Sequence, residues 1–115
     1  MIKNSKQNLP MREKNELLVS KSVEIFAALA DPTRFKMLQA LTRQELSVSD
    51  LTVLAEVSQS ATSHQLRILR DRDLVKTRRD GQRVLYSLSD EHVTTLIQEG
   101  FAHAEHAHMG GGFNE

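Results

Sequence analysis

Apolar and polar positions divide the chain into four helical stripes, a short stretch of strand-like period, and a last helix. From Met11 to Leu29 the positions Leu18, Ser22, Ile25, Phe26 and Leu29 fall mostly on one helical stripe. Asp31-Pro32 then reads as an N-cap with proline at the first helical position. It opens a helix expected to bury Phe35, Met37, Leu38 and Leu41. In LSVSDL, Ser47 or Ser49 caps a short helix through Leu51, Leu54 and Ala55. Val57-Ser58-Gln59 interrupts the stripe, and Ser58 can cap a longer helix from about Gln59 to Arg72.

After Arg72 the period changes. Leu74 to Arg79 and Gln82 to Leu88 are short runs rich in Val, Leu and Tyr. Asp80-Gly81 lies between them, and Asp-Gly is a favoured two-residue hairpin turn. Ser89 is expected to cap the final helix, Asp90 to about Ala107, with Asp90 and Glu91 at its positive end. The predicted fold is mainly α with one small β-hairpin before the last of five helices. Short helix, tight turn, second helix and hairpin make the winged helix-turn-helix pattern.

A chain of 115 residues fits one domain. At 39% hydrophobic and 26% charged it has the balance of a soluble globular protein. With no Trp and few aromatics, its core must come from Leu, Val, Ile and Ala. So short a chain buries a modest core, and homodimerisation is a common remedy. There is no Cys, which excludes disulfides, thiolate metal sites and cysteine nucleophiles. No apolar run approaches the ~20 residues that span a bilayer, and MIKNSKQNLP has no signal-peptide hydrophobic region. The expectation is a soluble, cytoplasmic protein with no membrane partner.

Fifteen basic and fifteen acidic residues cancel overall, but not locally. Residues 64–83 hold seven basic side chains (Arg67, Arg70, Arg72, Lys76, Arg78, Arg79, Arg83) against three acids. Residues 90–115 hold five acids, no Lys or Arg, and four of the five histidines. A basic middle and an acidic, His-rich end point to two different ligands.

The basic middle points to double-stranded DNA. The helix SQSATSHQLRILR opens with small polar, amide and imidazole groups ahead of an apolar stripe through Leu66 and Leu69. The N-terminal part of a recognition helix reads base edges in the major groove. Gln59, Ser60, Ser63 and His64 are the candidate readers there. Arg78, Arg79 and Arg83 of the hairpin are candidates for the adjacent backbone or minor groove.

From Ile25 to Leu88, through IFAALADPTRFKMLQAL and SQSATSHQLRILRDRDLVKTRRDGQRVLYSL, the chain resembles the ArsR/SmtB family of metal-responsive bacterial repressors. The resemblance implies a dimeric winged helix-turn-helix protein that binds an inverted-repeat operator without metal and releases it when metal binds. On this reading residues 1–10 are a flexible tail and 11–107 form the DNA-binding and dimerisation domain. Residues 108–115 form a second flexible tail.

The last helix carries the second ligand. His92 and His103 are eleven residues apart, three turns plus about 20°, and so share a face. They are also separated by roughly 16 Å along the axis, too far to bind one ion within one chain. His103 and His106, at i and i+3, can chelate together, and Asp90 and His92 can converge at the first turn. Two such helices packed antiparallel across a dimer axis would join Asp90 and His92 of one chain to His103 and His106 of the other. Three imidazoles and a carboxylate suit a tetrahedral ion such as zinc or cobalt. The spacing matches, residue for residue, the last-helix site of the zinc- and cobalt-sensing members of the resembled family. In those members a second hydrogen bond from the position of His103 reaches backbone near the end of the reading helix, here around Asp73.

His108, expected beyond the helix, reads as a bystander, although nickel sensors of the family add ligands from extensions, which leaves nickel open. Members that sense arsenic, cadmium or lead resemble ELCVCDL, where this chain has Glu45-Leu46-Ser47-Val48-Ser49-Asp50-Leu51. Serine at both thiolate positions loses that soft-metal site. The function expected is a repressor that releases its operator on binding zinc or cobalt, derepressing metal efflux or resistance genes. The alternatives are a nickel/cobalt-sensing repressor of the same fold, or a metal buffer or storage protein, which would not explain the basic hairpin. A zinc enzyme needs an open coordination position and a base nearby. Here four ligands, no HExxH and no nucleophile pocket argue against one.

Overall fold

Local capping chemistry sets most of the element boundaries. In the computed structural model, which describes residues 10–109, the order is α1 (Met11–Leu29), α2 (Pro32–Leu41), β1 (Leu46–Ser47), α3 (Val48–Ala55), α4 (Gln59–Asp71), β2 (Val75–Asp80), β3 (Arg83–Leu88) and α5 (Glu91–His108). The Asp31 carboxylate accepts the Arg34 N–H at 3.0 Å, with Pro32 behind it at the first helical position. Of the two serines offered for α3, Ser47 is the cap. Its hydroxyl accepts from Asp50 N at 3.1 Å, and Asp50 Oδ2 accepts from Ser47 N at 3.0 Å. Ser58 opens α4 by accepting the Ala61 N–H at 3.0 Å.

Four expectations are corrected. Asp90 rather than Ser89 caps α5, accepting the Val93 N–H at 3.1 Å. Ser89 instead donates its hydroxyl to the Asp73 carbonyl at 2.6 Å. The hairpin turn lies one residue later than Asp80-Gly81. Asp80 pairs with Arg83, so Gly81 and Gln82 form the loop, and Gly81 takes φ +66°, open to glycine at little cost. A third strand, β1, pairs antiparallel with β3 through Leu46–Tyr86 and Ser47–Leu85, giving the sheet order β1-β3-β2. Two residues are too few to show a period. Finally, His108 lies within α5. Apart from Pro10, His108 and Met109, both expected tails fall outside the described residues.

Helices α2 to α5 enclose a core of Met37, Leu38, Leu51, Leu66, Leu69, Leu74 and Ile97, all essentially solvent-free. The α1 stripe behaves differently. Only Ala28 of that helix is buried, while Leu18, Val23 and Phe26 are 55%, 61% and 56% exposed. Leu96 and Phe101 on α5 are also exposed. Apolar faces of this extent on a small domain mark association surfaces.

The α3–α4 junction is fastened by a polar relay. The Thr52 hydroxyl donates to Thr62 Oγ1 at 2.9 Å, and Thr62 Oγ1 donates to the Ser58 carbonyl at 3.0 Å. Thr62 is fully buried. Thr62→Val keeps the shape but strands the Thr52 hydroxyl, so unfolding at matched protein concentration should lose about 1–3 kcal/mol. A change under ~0.5 kcal/mol, the size of an ordinary surface substitution, would show that the relay adds nothing.

Candidate nucleic-acid interface and metal centre

Helix α4 has two unlike faces. Thr62, Leu66 and Leu69 point into the core. Gln59, Ser60, Ser63 and His64 are exposed and, with Arg67, line one shallow open depression. All four candidate readers therefore share a surface. Arg67, absent from the sequence-based set, joins them because it follows Ser63 by four residues and His64 by three. The helix is held by Arg34, which donates through Nη1 to Gln65 Oε1 at 2.8 Å and through Nε to the Ala28 carbonyl at 2.8 Å. Ser60 Oγ lies 3.3 Å from Ser58 Oγ, next to the cap.

The three hairpin arginines differ in their surroundings. Arg78 grips Glu45 with two prongs, Nε to Oε2 at 2.8 Å and Nη2 to Oε1 at 2.7 Å. Arg83 Nη2 stands 3.5 Å from Asp50 Oδ2. Arg79 forms no ion pair among the described residues. Sequence reasoning missed both acids because Glu45 is 33 residues from Arg78, a separation no local pattern reports.

The metal candidates lie at the two ends of α5. Asp90 Oδ1 and His92 Nδ1 are 3.7 Å apart at its start, both exposed. Ligands at about 2.0–2.2 Å from a tetrahedral ion stand roughly 3.3–3.6 Å from one another, so a small rotation brings this pair to chelating distance. Asp90 Oδ1 also accepts the Val93 N–H, which fixes the carboxylate at the start of α5. His103 and His106 are exposed on the last turns of the same helix, with His108 after them. Among the described residues no group of three or more His, Asp or Glu side chains converges within one chain. Each pair alone supplies only two of the four donors that a tetrahedral ion such as zinc takes.

The Asp90–His92 end opens on a cleft of about 430 Å³ whose walls include Ile25 of α1, Arg72 and Asp73 beyond α4, and Val93 and Leu96 of α5. Next to Asp90, the Ser89 hydroxyl and N–H donate to the Asp73 and Leu74 carbonyls at 2.6 and 3.0 Å. The start of α5 is therefore tied to the end of α4. In the soft-metal position, Ser47 is occupied by helix capping.

The chain matches known regulators along most of its length. Residues 31–77 match the family described as bacterial regulatory protein, arsR family. The chain is 55% identical over 82 residues to the transcriptional repressor SmtB homolog of Synechocystis sp., covering 71% of this chain and 62% of that one, under two thirds of that relative's length. It is 38% identical over 104 residues to the HTH-type transcriptional regulator NmtR of Mycobacterium tuberculosis, covering 90% and 87%. A homodimeric winged helix-turn-helix DNA-binding domain from Mycobacterium bovis superposes with a TM-score of 0.76 at 26% identity, covering 87% and 94%. HlyU from Vibrio cholerae superposes at 0.69 with 38% identity, covering 73% and 91%.

The Glu45 carboxyl is held below the ordinary glutamate range, first by its hydrogen bond from Arg78 and then by that residue's charge. A depressed folded pKa contributes stability above the ordinary value and loses it as pH falls through the folded one. Thermal unfolding of wild type and Glu45→Gln should therefore differ at neutral pH and converge in acid. Parallel curves down to the lowest pH would show that the pair contributes nothing.

Proposed function

The chain belongs to the arsR family of bacterial regulatory proteins, and from that premise we propose that it is a cytoplasmic, homodimeric repressor. In this reading it binds an inverted-repeat operator when metal-free and releases it on taking up zinc or cobalt between subunits, derepressing metal efflux or resistance genes. As a family of regulators, its members are not enzymes. One observation supports the metal reading: α5 carries Asp90 and His92 at its start and the exposed His103 and His106 in its last turns, pairs too far apart to share an ion within one chain. The exposed apolar faces of α1 and α5 supply the surface on which two copies would meet.

Asp90 and His92 of one subunit, with His103 and His106 of the partner subunit, would hold the ion. A bound zinc or cobalt supplies a four-coordinate cross-link between subunits. The chain's own residues do the rest. Gln59, Ser60, Ser63 and His64 face the major groove, and Ser89 fastens the start of α5 to the carbonyl beyond α4. Anything that favours one placement of α5 thereby favours one placement of α4. A ligand shifts that balance only by binding the two arrangements unequally. A second N–H donated near Asp73 by His103 of the partner subunit would strengthen this tie, since the Asp73 carbonyl keeps one lone pair beside the Ser89 hydroxyl. His108, exposed in the last turn of α5, keeps a nickel-sensing variant of the reading open.

Cobalt(II) titration should give the intense visible absorption of a four-coordinate site at one ion per protomer, and His103→Ala should abolish it. An unchanged spectrum would remove His103 from the ligand set. On an operator duplex, Gln59→Ala or His64→Ala should cost about 1–3 kcal/mol per lost base contact while leaving random duplex little affected. Equal losses on both duplexes would show that these side chains do not read sequence.

A further inference from the structure

The wing divides its arginines between its two faces. Asp80 pairs with Arg83 across the hairpin, and Arg78 precedes Asp80 by two. Alternate strand residues share a face, so Arg78, Asp80 and Arg83 lie together. On that face both arginines meet acids from the helix-turn-helix segment. Glu45, the residue before β1, takes Arg78 at 2.7 and 2.8 Å, and Asp50 in the first turn of α3 takes Arg83 at 3.5 Å. Arg79 pairs in register with Val84 and lies on the other face.

We infer that Glu45 acts as a clasp that withholds Arg78 from the DNA backbone, leaving Arg79, with the more loosely paired Arg83, as the wing's phosphate contacts. The inference rests on the DNA-binding reading above. Sequence-independent affinity for DNA is set by how many phosphates the protein neutralises, each contact releasing counterions. An arginine already in a two-pronged carboxylate pair must give that pair up to take a phosphate. Exchanging one charge-assisted, two-pronged contact for another returns little. The Arg78 and Glu45 side chains are 55% and 35% exposed, so water screens the pair and its contribution to stability is modest. Its effect lies in the contact that Arg78 forgoes. Glu45 is thus a positioning residue, and it limits how tightly the wing grips any sequence.

The salt dependence of binding to a random DNA duplex, followed by fluorescence anisotropy, tests this. Glu45→Gln should bind several-fold tighter, with a log–log salt slope steeper by about 0.9 per freed arginine. Glu45→Gln combined with Arg78→Gln should return to the wild-type slope. Arg79→Gln alone should be shallower by about the same amount as Glu45→Gln is steeper. Glu13→Gln, which makes the same charge change in the first turn of α1, controls for net charge and should leave the slope unchanged. If the double variant loses as much slope as Arg79→Gln, or Glu45→Gln is no steeper than Glu13→Gln, the clasp is overturned while DNA binding stands. If wild type binds no duplex at any salt concentration, the DNA-binding reading falls and takes the clasp with it.

Discussion

A helix rises about 1.5 Å per residue, and that fixed pitch is what the functional account depends on. The eleven residues from His92 to His103 set the two imidazoles on one face of α5 and roughly 16 Å apart. No side-chain rotation closes such a gap, so a shared ion requires a second helix running the other way. The same helix leaves Leu96 and Phe101 exposed, and α1 leaves Leu18, Val23 and Phe26 exposed. Ligand spacing and uncovered apolar surface therefore call for one remedy, a second copy of the chain.

The link from α5 to the reading helix is short. Asp90 caps α5 and is also a candidate ligand. Its neighbour Ser89 holds the Asp73 and Leu74 carbonyls just beyond α4. At its other end α4 is fastened through Ser58, Thr62 and Thr52, and midway through Gln65 to Arg34. A helix held at three places moves as a body with its supports. That is the mechanical condition for a distant ligand to alter how its exposed face meets DNA.

Much of this was legible in the sequence where the physics is local. Asp31-Pro32 and Ser58 fixed the starts of two helices because capping needs only a side-chain oxygen and the next turn's N–H. The stripe of Leu66 and Leu69 turned the polar face of α4 outward. Chemistry that depends on distant partners was not legible. The pairing of Glu45 with Arg78 spans 33 residues and gives Arg78 a role its charge alone did not suggest. Ser89 and Asp90 are both capping residue types; Asp90 caps α5 while Ser89 bonds the Asp73 carbonyl, a partner sixteen residues away that no local pattern shows. Strand β1 is two residues long and exists because β3 offers an edge.

Subunit complementation tests the central claim most directly. One variant carries Asp90→Ala and His92→Ala, the other His103→Ala and His106→Ala, and cobalt(II) absorption is followed for each alone and after subunit exchange. The account predicts no four-coordinate spectrum from either variant alone, and one intact site in every mixed dimer. A four-coordinate spectrum from either variant alone, or none from the exchanged mixture, would contradict a site shared between subunits.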